Sequence, residues 1–211
     1  MIAKRRAHGY TIVELLMSLS VLAIGTAGVI AMQKVAIESN RYAKNLSVAT
    51  RVGEAWADEL TADAQLWTYK AGVPTTLNNT DWLNNVTNLS WFRPAFSARR
   101  QFGPAFSPLG VPLDPTTQAP LAHFCVDLRL AILRPELASL PSVPTSGDGV
   151  IRAQIRVFWP RDDVTIPPSS ASTANVCDAA NGPGVNDQNI SAYHVIYLTT
   201  TVRQPPQGRA S

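Results

Sequence analysis

One carboxylate lies inside the longest apolar stretch of the sequence. The stretch covers residues 10–32, reads YTIVELLMSLSVLAIGTAGVIAM, and holds Glu14 as its single charge, without proline. A helix rises about 1.5 Å per residue, so this stretch is about 34 Å long and can cross a bilayer core of about 30 Å. A carboxylate at the bilayer centre costs about 2.5–3.5 kcal/mol, and less near the interface. Glu14 is therefore either solvated among the headgroups or paired with a cationic partner.

Three basic residues, Lys4, Arg5 and Arg6, precede the apolar stretch. Without these three, the 18 Lys and Arg of the chain fall to 15, equal to its 15 Asp and Glu. A basic segment beside a membrane helix stays in the cytoplasm, which places the carboxyl-terminal part on the outer side. A nucleic-acid-binding protein would keep its positive charge in the folded part. We therefore expect no nucleic-acid partner.

The two cysteines, Cys125 and Cys177, lie far apart in the sequence. Disulfides form and persist in exported proteins, and the orientation expected from the basic residues exports the part that contains both cysteines. One disulfide is the favoured interpretation, and two separate buried thiols are the alternative.

Signatures of catalysis are missing from the sequence. It contains no G-x-S-x-G, no H-E-x-x-H and no phosphate-binding glycine loop, and His123 and His194 fall within strand patterns. Residues 167–189 are rich in glycine and in side chains with oxygen atoms, but their spacing fits no calcium-loop template, so we expect a solvated loop. We expect no enzyme, no metal site and no cofactor.

The chain after residue 32 continues with the pattern of an amphipathic helix. Apolar residues recur three, four or seven positions apart, namely Tyr42, Leu46, Ala49, Val52, Trp56, Leu60 and Trp67. No proline occurs before Pro74. The pattern predicts one helix from about Tyr10 to about Tyr69. Residues 10–32 would span the membrane, and residues 33–70 would place one apolar stripe, which includes Trp56 and Trp67, in a core.

Three later segments alternate between apolar and other residues with the period of a strand. They cover residues 124–132, 151–159 and 193–202. The predicted fold is α+β: a long amino-terminal helix, membrane-spanning in its first half, packed on a small antiparallel sheet in a periplasmic domain of residues 71–211.

Residues 72–120 separate the helix from these strands and are rich in Pro, Asn and Ser. Their composition predicts a long irregular connection with one short strand near residues 89–92. Arg99 and Arg100 lie beside aromatic residues, which could indicate a binding patch, but incidental charges of an exposed loop are the favoured interpretation.

The string from Gly9 to Leu16, GYTIVELL, resembles the class III prepilin motif of type IV pilins and type II secretion pseudopilins. Tyr10 stands where Phe is usual, and Ile-Val replaces the commoner Leu-Ile. The resemblance implies that residues 1–9 are a leader peptide and that prepilin peptidase cleaves after Gly9, where the lack of a side chain allows close approach to the backbone. It also implies that the same enzyme methylates the freed amine of Tyr10. Glu14 would then pair with the terminal amine of a neighbouring subunit in the filament core.

Two segments near the end, residues 152–161 and 193–203, resemble the closing strands of PilV-type minor pilins. The implied function is that of a minor pilin that helps to initiate pilus assembly at or near the tip. The implied partners are prepilin peptidase, other minor pilins and the major pilin, a tip adhesin, the inner-membrane assembly platform and membrane lipid. The implied location is the bacterial inner membrane, with a single span and a periplasmic body, and then the pilus.

Two other functions remain open at this point. A type II secretion pseudopilin has the same architecture and serves the export of folded proteins. A membrane-anchored periplasmic enzyme or binding module would use the apolar stretch only as an anchor, and would need neither cleavage after Gly9 nor Glu14.

Overall fold

The structure is a computed structural model whose described residues are 11–70, 73–87, 90–114, 117–118, 121–133, 149–161, 177 and 190–204. These residues form helix α1 (Ile12–Asp63) and strands β1 (Thr68–Lys70), β2 (Val73–Thr76), β3 (Ala105–Phe106), β4 (Pro112–Leu113), β5 (Phe124–Ile132), β6 (Val150–Pro160) and β7 (Tyr193–Arg203). The chain divides into two compact units, Met1–Asn45 and Leu46–Ser211. We call the helical residues 12–45 of the first unit the stem, and the second unit the body.

The body is built on a five-stranded antiparallel sheet with the strand order β4-β3-β5-β6-β7. The three long strands are the segments whose alternation predicts strands, and the structure confirms them. β1 and β2 form a separate two-stranded sheet. Alternation works here because each strand has one face in the core, so every second residue must be apolar.

The part of α1 that belongs to the body packs on one face of this sheet, the near face. Its buried positions Ala49, Val52, Trp56 and Leu60 join one hydrophobic cluster with alternate residues of the strands. The strand residues of this cluster include Phe124, Val126, Leu128, Leu130, Ile151, Ala153, Ile155, Val157 and Trp159. This confirms the α+β, pilin-like fold and the core position of Trp56.

The end of the helix lies earlier than predicted. α1 ends at Asp63, a 3-10 turn covers Ala64–Leu66, and the chain is already a strand at Thr68–Lys70. Helical continuation to Tyr69 is therefore wrong. Trp67 is buried as expected, but it is buried beyond the helix, against Gly149, where a β-carbon would collide with the indole ring. Trp67 therefore packs against a residue far along the chain, and this contact favours an extended backbone even though no proline precedes Pro74.

The connection over residues 72–120 is largely irregular in its described parts, as predicted. The short strand expected near residues 89–92 is reduced to a single bridge between Phe92 and Leu128. The hairpin of β3 and β4, which joins the sheet through the pairing of β3 with β5, was not predicted from the sequence. Strands of two residues carry too little alternation to be detected.

The face of the sheet opposite α1, the far face, is covered at one end. A second apolar cluster there contains Cys125, Phe158, Cys177 and Tyr193. Burial raises the pKa of the Tyr193 hydroxyl, and the charge of Arg93 offsets part of this shift. This cover explains why residues on both faces of β5 are buried at its start.

Candidate assembly site

The first turn of α1 is closed by a threonine. Thr11 precedes the first helical residue, and its Oγ1 accepts a hydrogen bond from the backbone N–H of Glu14 at 3.3 Å. The carbonyl of Thr11 accepts from the N–H groups of Glu14 and Leu15 at 3.1 and 3.2 Å. The Thr-x-x-Glu spacing at a helix start is that of a capping box, and a carboxylate in the first turn also gains about 0.3–1 kcal/mol from the helix dipole. Glu14 therefore helps to start its own helix.

The stem exposes large apolar side chains along its length. These are Ile12, Val13, Leu15, Leu16, Met17, Leu19, Val21, Leu22, Ile24, Val29, Ile30, Met32, Val35 and Ile37. Within the described part of the chain, one helical segment, Ile12–Leu66, which is α1 together with the 3-10 turn after it, is long and apolar enough to cross a membrane. Exposed apolar surface of this extent marks a site that lipid or other apolar helices cover.

The hydroxyl side chains of residues 12–32 form hydrogen bonds within the helix. The hydroxyls of Ser18, Ser20 and Thr26 donate to backbone carbonyls three or four residues earlier, at 2.9, 2.7 and 3.0 Å. Such local bonds let hydroxyl groups enter an apolar environment without an external partner. These three hydroxyl groups therefore need no hydrogen-bond partner from a neighbouring chain.

Glu14 differs from these hydroxyls because it carries the only charge of residues 11–33. The next basic residue along α1 is Lys34, twenty residues later and thus about 30 Å away, and it forms an ion pair with Glu38 at 3.8 Å. No basic side chain of the described stem can therefore neutralise Glu14. In an apolar environment its carboxylate needs a cation from elsewhere.

The other predicted site residues lie in different parts of the chain. Gly9 and Tyr10, together with the basic residues of positions 4–6, lie outside the described residues, so cleavage and methylation stay predictions. Cys125, on β5, and Cys177 are joined by a disulfide, with Cα atoms 5.3 Å apart. The bond ties position 177 to the sheet, and it is remote in sequence from Glu14.

Comparison with known families now bears on the amino terminus. Residues 4–30 match the prokaryotic N-terminal methylation motif. No curated protein and no solved structure matched the chain. The motif indicates a prepilin-type protein of the type IV pilin-like class and implies processing by prepilin peptidase and assembly with other pilins. Motif and apolar helix together fit membrane anchoring. The match ends at residue 30, so it contains no support for the PilV type.

At the opposite end of α1, Asp63 holds a loop of the body in place. Its Oδ1 accepts a hydrogen bond from the N–H of Asp81 at 2.8 Å, and its Oδ2 accepts from Trp82 and Leu83 at 3.0 and 3.2 Å. Arg100 lies 3.8 Å from the same carboxylate, which is fully buried. A buried carboxylate is tolerated when charge and hydrogen bonds are supplied together, as they are here.

Arg99 and Arg100 complete this network on the loop. Arg100 donates to Glu59 at 3.0 Å and to Asp81 at 3.2 Å, and Arg99 donates to Asp81 at 2.9 Å. Partial burial raises the pKa of Asp81, but the hydrogen bonds from Arg99 and Ser97 and the two arginine charges outweigh burial and lower that pKa overall. The interpretation of Arg100 as an incidental charge is therefore wrong, because it links the loop to α1.

Sequence reasoning missed Thr11 and Asp63 for different reasons. The Thr-x-x-Glu spacing was present in the sequence and could have identified Thr11 as the capping residue. Asp63 gave no such signal, because its partners lie 18 to 20 residues later, in a loop without periodicity.

Among the residues that the structure describes, no group of three or more His, Cys, Asp or Glu side chains could hold a metal ion. The loop of residues 167–189 lies outside the described residues except for Cys177. The expectation of no metal and no cofactor stays a prediction.

Proposed function

We propose that this chain is a minor pilin of a type IV pilus, cleaved by prepilin peptidase and placed at or near the tip, where it helps to initiate assembly. The methylation motif at residues 4–30 carries the proposal, because a mere anchor requires no such motif. The likeness of the β6 and β7 sequences to the closing strands of PilV-type minor pilins favours a minor pilin. The partners are other minor pilins, the major pilin, a tip adhesin and the inner-membrane assembly platform.

Cleavage prepares the amino terminus for assembly in this proposal. Prepilin peptidase hydrolyses the bond between Gly9 and Tyr10 on the cytoplasmic side, which removes Lys4, Arg5 and Arg6 and frees the amine of Tyr10. The same enzyme methylates that amine, which keeps its positive charge. The apolar helix remains attached, so the subunit stays in the inner membrane with its body in the periplasm until it enters the pilus.

Glu14 then attracts the amine of a neighbouring subunit as the apolar helices leave the membrane and pack together. The stem supports this role because it supplies no basic side chain to Glu14, whereas the hydroxyls of residues 12–32 are satisfied locally. In a water-poor helix bundle a misplaced carboxylate stays desolvated and unpaired, so the pair also selects the register between subunits.

Intact mass and amino-terminal sequencing of the membrane-extracted protein test the processing step. The expected mature chain begins at methylated Tyr10, and Gly9→Phe accumulates as the full-length precursor. Gly25→Ala is the matched control, because a β-carbon at Gly25 meets no atom within 4 Å and this position is remote from the cleavage bond. Normal processing of the Gly9→Phe variant would overturn the cleavage assignment.

A type II secretion pseudopilin is the second candidate, since the same motif is compatible with it. Deletion of the gene separates the two functions. Loss of a minor pilin should reduce surface pili and leave protein secretion intact. Loss of a pseudopilin should stop the export of folded proteins and leave pili intact. Loss of secretion alone would replace the proposed function by this second one.

A further inference from the structure

The two edges of the five-stranded sheet differ in their protection against other strands. Among the described residues, the edge strand β4 has two residues and begins with Pro112, whereas the edge strand β7 has 11 residues paired with β6 without a shift of register. Natural sheets protect their edges by short strands, proline, charges or bulges. From Val195 to Val202, β7 has neither charge nor proline. No described strand pairs with its outer backbone groups, which can therefore act as a template for another strand.

The near face of the sheet is only partly covered at β7. Ile196 pairs with Val157 and Leu198 with Ile155, and both β6 residues are fully buried. Ile196 and Leu198 are only partly buried, although they pack against the core cluster. A strand added beside β7 would place every second side chain next to these two residues. Apolar side chains at those positions would extend the core.

The far face at β7 has the opposite chemistry. Its exposed residues are Arg152 on β6 and Tyr197, Thr199, Thr201 and Arg203 on β7. Strands β5, β6 and β7 contain one carboxylate, Asp127, which is buried and paired with Arg93 and Arg156. This exposed part of the far face therefore carries positive charge, and acidic side chains on an added strand would complement it.

We propose that β7 is a docking edge for an extended segment of another chain in which apolar and acidic residues alternate. Backbone hydrogen bonds to β7 supply the pairing, as in strand addition to other sheet edges. The apolar side chains lie beside Ile196 and Leu198, and the acidic ones lie within reach of Arg152 and Arg203. Because a slip of one residue exchanges the two faces, this pattern also fixes the register. Docking involves the body alone and thus goes beyond the proposed function.

Binding of synthetic peptides to the full-length protein in detergent tests the proposal. The probe is a fluorescein-labelled peptide of five Val-Glu repeats, and the control peptide has five Val-Lys repeats. Fluorescence anisotropy should show that the Val-Glu peptide binds at least about ten-fold more tightly than the Val-Lys peptide. The double variant Arg152→Glu, Arg203→Glu should abolish this preference, whereas Arg51→Glu, at an exposed position on α1, should leave it unchanged. Equal affinity for the two peptides, or no binding of either, would overturn the proposal.

Hydrogen exchange separates strand pairing from simple charge attraction. When the Val-Glu peptide binds, the exchange rate of alternate amides of β7 should fall at least about ten-fold, because the outward N–H groups gain carbonyl partners. Thr199→Pro and Thr200→Pro form a matched pair, since one of two successive N–H groups points outward and the other points toward β6. The variant that stays folded by circular dichroism should lose peptide binding. Unchanged exchange in β7, or full binding by that variant, would contradict docking at this edge.

Discussion

Two carboxylates on one helix show how the stem and the body differ. Asp63 is buried in the body and receives three backbone hydrogen bonds together with the charge of Arg100, all from its own chain. Glu14 is exposed on the stem, where its own turn holds only its backbone and no basic side chain is near along the helix. The body thus supplies every partner of Asp63 from its own chain, whereas in our proposal Glu14 of the stem takes its partner from another chain.

Removal of the disulfide tests the self-sufficiency of the body with the largest expected effect on stability. The bond between Cys125 and Cys177 closes a loop of 52 residues. In the chain-entropy model, a loop of this size stabilises the folded state by about 4 kcal/mol. Chemical unfolding of the Cys125→Ser, Cys177→Ser double variant should show this loss, and reductant should destabilise only the parent. Equal labelling of both cysteines by an alkylating reagent, in denatured but unreduced parent protein, would rule the bond out.

Asp63→Ala tests the same region by a smaller amount. It removes the acceptor for three amide groups and the partner of Arg100, so we expect the free energy of unfolding to fall by about 3 kcal/mol. Asp58→Ala is the matched control, because Asp58 is exposed on the same helix and should change stability by no more than about 0.5 kcal/mol. Urea unfolding followed by tryptophan fluorescence measures both. A similar effect of the two variants would remove the contrast between Asp63 and an ordinary surface carboxylate.

The pH dependence of stability gives the smallest effect. The folded-state pKa of Asp81 lies below the ordinary value of an aspartate, because Arg99, Ser97 and Arg100 stabilise its charged form more than burial opposes it. Its contribution is therefore present above about pH 4 and is lost as the pH falls through the lowered folded-state pKa. Solvent limits this contribution to less than about 1 kcal/mol. Between pH 5 and pH 3 the melting temperature of the parent should fall more than that of Asp81→Asn, and parallel curves would contradict this contribution.

The regular elements could be predicted from the sequence because their signals are local. The alternation in β5, β6 and β7 and the charge-free run around Glu14 each follow from residues a few positions apart. The end of α1 and the role of Arg100 could not be predicted in this way. Both depend on contacts of Asp63 and Trp67 with residues far along the chain, and the periodicity of the sequence does not predict such contacts. The proposed assembly role of Glu14 is harder still to predict, because its proposed partner belongs to another chain.

The most direct test of the account compares three variants at matched membrane levels. Glu14→Ala removes both the charge and the helix-starting role, Glu14→Gln keeps a side chain suited to a capping box without the charge, and Thr11→Ala weakens the cap but keeps the charge. Truncation of one partner of a desolvated pair costs about 2–5 kcal/mol, whereas loss of a cap costs about 1 kcal/mol. The measurement is the amount of each variant in sheared and purified filaments, relative to the processed protein in the membrane. Both Glu14 variants should be processed but missing from filaments, and Thr11→Ala should assemble. Assembly of Glu14→Gln at the level of the parent would contradict the claim that this charge acts on a neighbouring chain.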